Sequence, residues 1–218
     1  MTMQVEGRTI ERVLIVDDDP RARTAYGYSV EDLGLEALSV EGPVESDNFF
    51  EELRPTDALV CDYHLRARNY STCEGDELLN GCFKEAIPGV LCSALADVFG
   101  KIRRDYLRCI PARLASDRPD ADALVEAWRT CILEMRGEFE PKRRPWRALV
   151  RVADVEPGTR NIYVVVPAFH PRQKIPLDRD SVPDWLQPLV SPGRRFHAQV
   201  NIGADCHEEM FFDSWEDS

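Results

Sequence analysis

Long apolar runs are missing from this chain. No stretch approaches the roughly 20 consecutive apolar residues of a membrane-spanning helix, and the polar start, MTMQVEGRTIERV, lacks the apolar segment of a secretory signal. We therefore expect a cytoplasmic protein without a membrane partner. Hydrophobic residues still make up 44% of the 218 residues, which is enough to bury the cores of one large or two modest domains.

Paired cysteines are also missing. The seven cysteines are an odd number, and no two of them form a CxxC pair. Cys61 and Cys92 each lie inside an apolar run, where a free thiol behaves as a small hydrophobic side chain. The cysteine pattern therefore predicts reduced, structural residues and neither disulfides nor a zinc site.

Positive charge is scarce in the first part of the chain. Residues 1–139 hold 16 Lys and Arg against 27 Asp and Glu, a net charge of −11, whereas residues 140–218 hold 11 against 12, a net charge of −1. The acidic first part repels nucleic acid and membrane surfaces, and the second part is close to neutral. Nucleic acid is accordingly a disfavoured partner.

What the chain has in quantity is a repeated strand-then-helix pattern. Short apolar or alternating runs predict five strands, at residues 12–16, 36–40, 57–61, 89–92 and 107–114. Helices are predicted after them, near residues 20–33, 46–53, 76–86, 96–104 and 120–137. Apolar strands bounded by turn residues suit a parallel sheet that is buried on both faces. Residues 1–139 are thus predicted to form an α/β domain, a doubly wound, flavodoxin-like (βα)5 parallel sheet.

A charged linker with prolines, residues 140–145 (EPKRRP), separates this pattern from a different one. Beyond it, β-branched and aromatic residues predict strands at residues 146–155, 161–169, 195–203 and 210–215. Residues 146–218 are therefore predicted to form a small, mostly antiparallel, barrel-like β-domain. We interpret this domain as a protein-interaction module whose partner the sequence does not identify.

Acidic and hydroxyl side chains follow three of the predicted parallel strands. Asp17 and Asp18 end the first strand, Asp62 ends the third, and Ser93 ends the fourth. Ligands of open parallel sheets bind at the carboxyl ends of the strands, so we expect these side chains to converge. Clustered carboxylates raise one another's pKa unless a cation lies among them, and their hard oxygen atoms suit Mg²⁺. The pattern predicts a magnesium site at which a carboxylate accepts a phosphoryl group.

Three segments resemble the receiver domains of two-component response regulators: VLIVDDDP at 13–20, LVCDYHL at 59–65 and VLCSA at 90–94. The resemblance covers about residues 10–138. It implies that Asp62 is the phosphoacceptor and that Ser93 hydrogen-bonds the phosphoryl group. It also implies that Mg²⁺ is held by Asp17, Asp18, Asp62 and the backbone carbonyl of His64.

The lysine that receiver domains carry after their fifth strand has no counterpart in residues 106–114 (YLRCIPARL). In one register Cys109 replaces it and Tyr106 keeps the family's switch aromatic; in the other, Arg113 replaces it and Ile110 takes the aromatic position. We favour Arg113, because the later position leaves room for a helix after Ser93 and supplies a cation.

A second departure from the receiver pattern is the segment 66–75, which is longer than the usual turn and follows Asp62 closely. Its two arginines could cover the phosphoryl group or bind a partner. The alternative is a solvated, mobile loop.

Three hypotheses on function follow. The leading one is a receiver that a histidine kinase phosphorylates and that acts as an adaptor or phosphate sink through its β-domain. Such a protein is not an enzyme beyond self-phosphorylation from a phosphodonor and slow self-dephosphorylation. The first alternative is a pseudo-receiver scaffold without phosphotransfer, and the second is a regulator that binds nucleic acid through the β-domain.

Overall fold

A computed structural model describes residues 2–94, 96–115 and 119–218. The chain divides into two units. The first unit comprises Met1–Ile102 and Cys109–Glu138, and the second comprises Arg103–Arg108 and Phe139–Ser218. The predicted domain boundary near residue 140 thus differs from the observed division in one respect, because the short segment Arg103–Arg108 groups with the second unit.

The first unit is an α/β sandwich around a parallel sheet. Its elements are β1 (Met3–Val5), β2 (Arg8–Ile10), β3 (Arg12–Val16), α1 (Pro20–Glu31), β4 (Glu36–Ser39), α2 (Ser46–Glu51), β5 (Asp57–Asp62), α3 (Gly75–Lys84), β6 (Gly89–Cys92), β7 (Arg113–Leu114) and α4 (Ala121–Met135). The parallel strands run in the order β4-β3-β5-β6-β7. Numbered along the chain, these five strands give the order 2-1-3-4-5, which is the flavodoxin-like arrangement. The predicted fold class is therefore confirmed.

The fourth crossover departs from the sequence prediction. The expected helix at 96–104 is a 3-10 helix at Ala96–Lys101, and the expected strand at 107–114 is a 3-10 turn at Leu107–Cys109 followed by the two-residue strand β7. Pro111 interrupts this stretch and has no backbone N–H to donate to a strand ladder, which explains why the strand is short. The hairpin β1–β2, which precedes the parallel sheet, was not predicted.

Helix α4 closes one face of the parallel sheet. Its Trp128 is fully buried and donates a hydrogen bond from Nε1 to the backbone oxygen of Leu59 (3.0 Å). At the amino edge of the sheet, Arg12 forms a bidentate ion pair with the buried Asp57, with Nη2–Oδ2 at 2.6 Å and Nε–Oδ1 at 2.9 Å. These contacts fix strands β3 and β5, whose carboxyl ends carry the predicted acidic site.

The second unit is a single antiparallel sheet. Its strands are β8 (Trp146–Val155), β9 (Asn161–Val165), β10 (Ile175–Asp178), β11 (Arg195–Val200) and β12 (Phe212–Asp217), in the order β10-β9-β8-β11-β12. The antiparallel prediction is confirmed, although β10 was missed. Strands β10 and β12 are the two edges, and within the described ranges they do not pair with each other, so the sheet is open and the predicted barrel is not formed.

The segment Arg103–Arg108 is bound tightly into the second unit. The Nη1 atom of Arg104 lies within hydrogen-bonding distance of the carbonyl oxygens of His207 (2.6 Å), Glu208 and Met210 (3.3 Å). Arg143 donates to the carbonyl oxygen of Leu107 at 3.1 Å. The two arginine side chains therefore donate to carbonyl groups of two turns that lie outside the strands.

All seven cysteines are free thiols. Burial raises the pKa of Cys61, Cys82 and Cys92, which keeps these thiols protonated and unreactive. In the part of the chain that the structure describes, no helix combines the length and the apolarity that crossing a bilayer requires.

We expect Arg104→Ala to destabilise the second unit by about 1.5–3 kcal/mol, because it removes the charged donor that three carbonyl groups share. The measurement is amide hydrogen exchange of β11 and β12, followed peptide by peptide. The exposed Arg172 provides the matched control, since Arg172→Ala should change exchange little. Equal exchange in both variants would show that the segment Arg103–Arg108 does not stabilise this sheet.

Candidate functional site

An open cleft of about 670 Å³ lies at the carboxyl edge of the parallel sheet. It is lined by Asp17, Asp18, Asp19, Arg21, Ala22, Ala25, Tyr26, Asp62, His64, Ser93 and Ala94. Five residues that the sequence singled out therefore meet in one place: Asp17, Asp18, Asp62, His64 and Ser93. They meet because β3, β5 and β6 are neighbours in the sheet and all end at this edge.

Asp17 is the most deeply placed carboxylate of the cleft. Its side chain is buried, and its Oδ1 accepts a hydrogen bond from the backbone N–H of Asp19 at 2.7 Å. Burial raises the pKa of Asp17 to about 7, and the neighbouring carboxylates of Asp62 and Asp18 raise it further, while the Asp19 hydrogen bond opposes the shift. The cleft thus concentrates negative charge around a buried carboxyl group.

Asp62 lies at the end of the central strand β5 and is half-buried. Burial raises its pKa, and hydrogen bonds from the backbone N–H groups of His64 and Tyr63 oppose the shift. The His64 N–H lies 2.8 Å from Oδ2. The His64 ring stands edge-on to the Tyr63 ring, with centroids 4.9 Å apart, and His64 is half-buried.

Glycine is required where α3 begins against Asp62. A Cβ atom at Gly75 would lie 1.8 Å from the backbone oxygen of Asp62, which is a severe overlap. The N–H of Gly75 also donates to the Tyr63 carbonyl oxygen at 2.9 Å. The absence of a side chain at Gly75 therefore allows the helix to fix the strand end that carries Asp62.

Ser93 lies at the cleft, but Arg113 does not line it. Strand β7 pairs Arg113 with Leu91 and Leu114 with Cys92, and the Ser93 N–H donates to the Leu114 carbonyl oxygen at 3.0 Å. Extending this register by one residue places Ala115, which carries no charge, level with Ser93. Cys109, the other candidate for the missing lysine, belongs to the 3-10 turn before β7 and is also absent from the cleft lining.

The segment 66–75 is partly folded against the first unit and is not a fully solvated loop. Tyr70, Ser71 and Cys73 are buried, and Val44 and Ser71 form a parallel bridge. From the exposed part of this segment, Arg68 reaches the cleft residue Asp18, with Nε–Oδ2 at 3.7 Å. The sequence suggested that an arginine of this segment covers the phosphoryl group or binds a partner, and the position of Arg68 agrees with the first of these roles.

Two arginines of α1 contribute to the site and were not singled out by the sequence. Arg21 lines the cleft in the first turn of the helix. Arg23 is buried, and it donates to the Asp17 carbonyl oxygen at 2.6 Å and to Ser39 Oγ at 2.8 Å. The sequence signal for Arg23 is weak, because a charged residue on a helix is most often exposed.

The donor set of the cleft fits a hard divalent cation. Asp17, Asp18 and Asp62 supply carboxylate oxygens, and like charges held this close favour an added cation. Within the described residues no group of three or more Asp, Glu, His or Cys side chains is already arranged as a ligand set. The carboxylate of Asp18 also lies 3.7 Å from Nε of Arg68, so this exposed guanidinium group already neutralises part of its charge.

Comparison with known proteins gives similar solved structures only. No family model matches the chain, and no curated protein matches it. Among solved structures it is similar to the response regulator StyR, at 20% identity and a TM-score of 0.43, over 58% of this chain and 61% of that one. It is also similar to a sensor protein from Polaromonas sp. JS666, at 20% identity and a TM-score of 0.44, over 57% of this chain and 98% of that one.

A response regulator from Thermotoga maritima gives a third match, at 16% identity and a TM-score of 0.41, over 56% of this chain and 98% of that one. The chain therefore spans less than two thirds of StyR but almost all of the other two proteins. These likenesses concern the fold of a little over half of the chain.

Replacing Asp17 by asparagine should stabilise the first unit at pH 8 in the presence of a chelator. The folded state raises the pKa of Asp17 from 3.8 to about 7, so the stabilisation that comes from its protonation is complete below pH 4 and lost as the pH rises through 7. An asparagine side chain carries no charge at any pH. We expect Asp17→Asn to gain about 1–3 kcal/mol at pH 8 and little near pH 4.

Urea unfolding of both proteins across this pH range, followed by pulsed hydrogen exchange of peptides from the first unit, measures the effect. The exposed Asp32 is the control, because Asp32→Asn makes the same change in net charge outside the cleft. If Asp17→Asn is no more stable than Asp32→Asn at pH 8, the buried carboxylate does not destabilise the folded state.

Proposed function

We propose that the first unit accepts a phosphoryl group on Asp62 from a histidine kinase. What supports the proposal is the convergence of Asp17, Asp18, Asp62 and Ser93 on one cleft at the carboxyl edge of a 2-1-3-4-5 parallel sheet. Asp17, Asp18, Asp62 and the His64 carbonyl would hold Mg²⁺, which neutralises charge on a phosphoryl group during transfer.

In the proposed transfer, a carboxylate oxygen of Asp62 attacks the phosphorus atom of a phosphohistidine. An O–P bond forms, the P–N bond breaks, and the leaving imidazole takes the electron pair and then a proton from water. Asp62 is suited to this role because it lies at a strand end and opens to the cleft, whereas Asp17 is more deeply buried. The hydroxyl group of Ser93 would donate to an oxygen atom of the transferred group.

We propose further that phosphorylation serves an adaptor or phosphate-sink role in the cytoplasm and no enzymatic reaction beyond self-phosphorylation and slow self-dephosphorylation. The second unit supports this role, because its described residues form strands and 3-10 turns without an α-helix that could enter a DNA major groove. Its nearly neutral sequence also lacks the excess of basic residues that phosphate contacts require. A protein is therefore the proposed partner of the second unit.

A pseudo-receiver scaffold is the second candidate. The observation that favours it is the position of Arg113 outside the cleft lining, with Ala115 level with Ser93, so the described residues of the fifth strand add no cation to that lining. The two candidates differ in one measurable property, the ability of Asp62 to carry phosphate.

Incubation with Mg²⁺ and acetyl phosphate should add the mass of one phosphoryl group to the intact protein. Asp62→Asn should abolish this gain, because an amide is not a phosphoacceptor. The matched control is Asp32→Asn, which changes the charge equally at an exposed position. Labelling of Asp62→Asn to the same extent as the original protein, or no labelling of either, contradicts the assignment.

The sink role predicts competition for phosphate. When a purified histidine kinase that phosphorylates this protein is mixed with another of its receiver substrates, adding this protein should lower phosphate on that substrate. Asp62→Asn should leave the substrate's phosphorylation unchanged. Gel separation of radiolabelled proteins over time measures both. Undiminished substrate labelling, together with full labelling of this protein, would rule out a sink.

A further inference from the structure

Arg68 is the basic residue of the segment 66–75 that contacts the acidic cleft. Its Nε lies 3.7 Å from Oδ2 of Asp18, and its Nη1 donates to the backbone oxygen of Asp18 at 3.4 Å. The Asp18 side chain is 15% exposed and the Arg68 side chain is 67% exposed. A guanidinium group that is mostly in water forms a weak and readily exchanged ion pair.

The backbone around Arg68 is held in an uncommon conformation. Arg68 and Asn69 have φ angles of 55° and 58°, a region that side chains other than glycine seldom adopt. The segment is fixed next to them by Tyr70, whose carbonyl oxygen accepts from the Val44 N–H at 2.6 Å and whose hydroxyl donates to the Val40 carbonyl oxygen at 2.8 Å. The anchored backbone therefore presents the Arg68 side chain to the mouth of the cleft.

A phosphoryl group on Asp62 would add negative charge to a cleft that already holds Asp17 and Asp18. The fifth strand offers no cation at the level of Ser93, because that position is Ala115. Arg21 lines the cleft, but it belongs to the first turn of α1, whereas Arg68 belongs to the loop that leads away from Asp62 itself. Arg68 is also already engaged with the carboxylate that Mg²⁺ would require.

We propose that Arg68 exchanges partners: it pairs with Asp18 in the unphosphorylated protein and with an oxygen atom of the phosphoryl group on Asp62 afterwards. This inference rests on the proposed function. Asp18 would be one of the residues that hold Mg²⁺, and the guanidinium group of Arg68 would then be free to turn to the phosphoryl group, for which its planar fork is well suited. Because the segment 66–75 is bonded to residues 40–44 through Tyr70 and Ser71, the exchange alters that surface of the first unit.

The proposal predicts two effects of opposite sign for Arg68→Ala. Mg²⁺ should bind about two- to fivefold more tightly, because the cation that competes for Asp18 is gone. Beryllofluoride, a phosphoryl mimic, should bind about tenfold more weakly at saturating Mg²⁺, because a charge-assisted hydrogen bond to it is lost. Arg68→Lys should restore part of the beryllofluoride affinity. If Arg68 had a purely structural role, its replacement would weaken the binding of both ligands.

Calorimetric titration gives the Mg²⁺ affinity, and fluorine NMR gives the beryllofluoride affinity, both with the full chain. Arg66 provides the matched control on the same segment, since it is 57% exposed and pairs with Glu77 at 3.7 Å. Arg66→Ala and Arg113→Ala should leave both affinities unchanged. Hydrogen exchange of residues 66–74 should change on beryllofluoride binding in the original protein and not in Arg68→Ala.

Unchanged affinities in Arg68→Ala, or a loss of beryllofluoride affinity in Arg21→Ala or Arg113→Ala but not in Arg68→Ala, would overturn the partner exchange while leaving phosphorylation of Asp62 intact. If the original protein binds Mg²⁺ but neither beryllofluoride nor phosphate, both the proposed function and the exchange fail. The Mg²⁺ titration then still shows separately whether Arg68 competes at Asp18.

Discussion

The arrangement of the first unit holds three carboxylates close together at the end of a buried sheet, although they repel one another. The parallel arrangement forces Asp17, Asp18 and Asp62 to the same edge, and burial raises the pKa of Asp17 and Asp62. The remainder of the unit holds this arrangement in place. The buried Arg12–Asp57 pair fixes the opposite end of the same two strands, and Trp128 fastens α4 to the sheet beneath them. Such a cleft favours the binding of a cation.

The protein uses arginine in two distinct ways. Buried Arg23 donates to the backbone oxygen of Asp17 and thereby holds the turn that carries the acidic pair. Arg104 does the same for a turn of the second unit, where three carbonyl oxygens converge on it. Arg68, in contrast, is exposed and contacts a carboxylate. Arg23 is buried and Arg104 is half-buried, whereas Arg68, which we propose to change partners, is mostly exposed.

The sequence predicted the strands that position the site better than it predicted the segment between them. The runs that contain Val13–Val16, Leu59–Cys61 and Val90–Cys92 are apolar on both faces, so their burial in a parallel sheet follows from composition alone. Residues 96–114 carry no comparable periodicity, and Pro111 interrupts them. Their fold depends on contacts of Arg104 and Leu107 with residues far along the chain, which a local pattern does not reveal.

By itself the sequence determined the first four parallel strands, the acidic residues at the ends of two of them and the change to antiparallel strands after residue 140. These features depend on local periodicity and on the common direction of parallel strands. Only the tertiary structure decided which cations approach those carboxylates. The register of β7 placed Arg113 level with Leu91, and the anchoring of Tyr70 brought Arg68 to Asp18. Both outcomes depend on contacts between segments that are distant in sequence. The pattern of residues within one segment does not reveal such contacts.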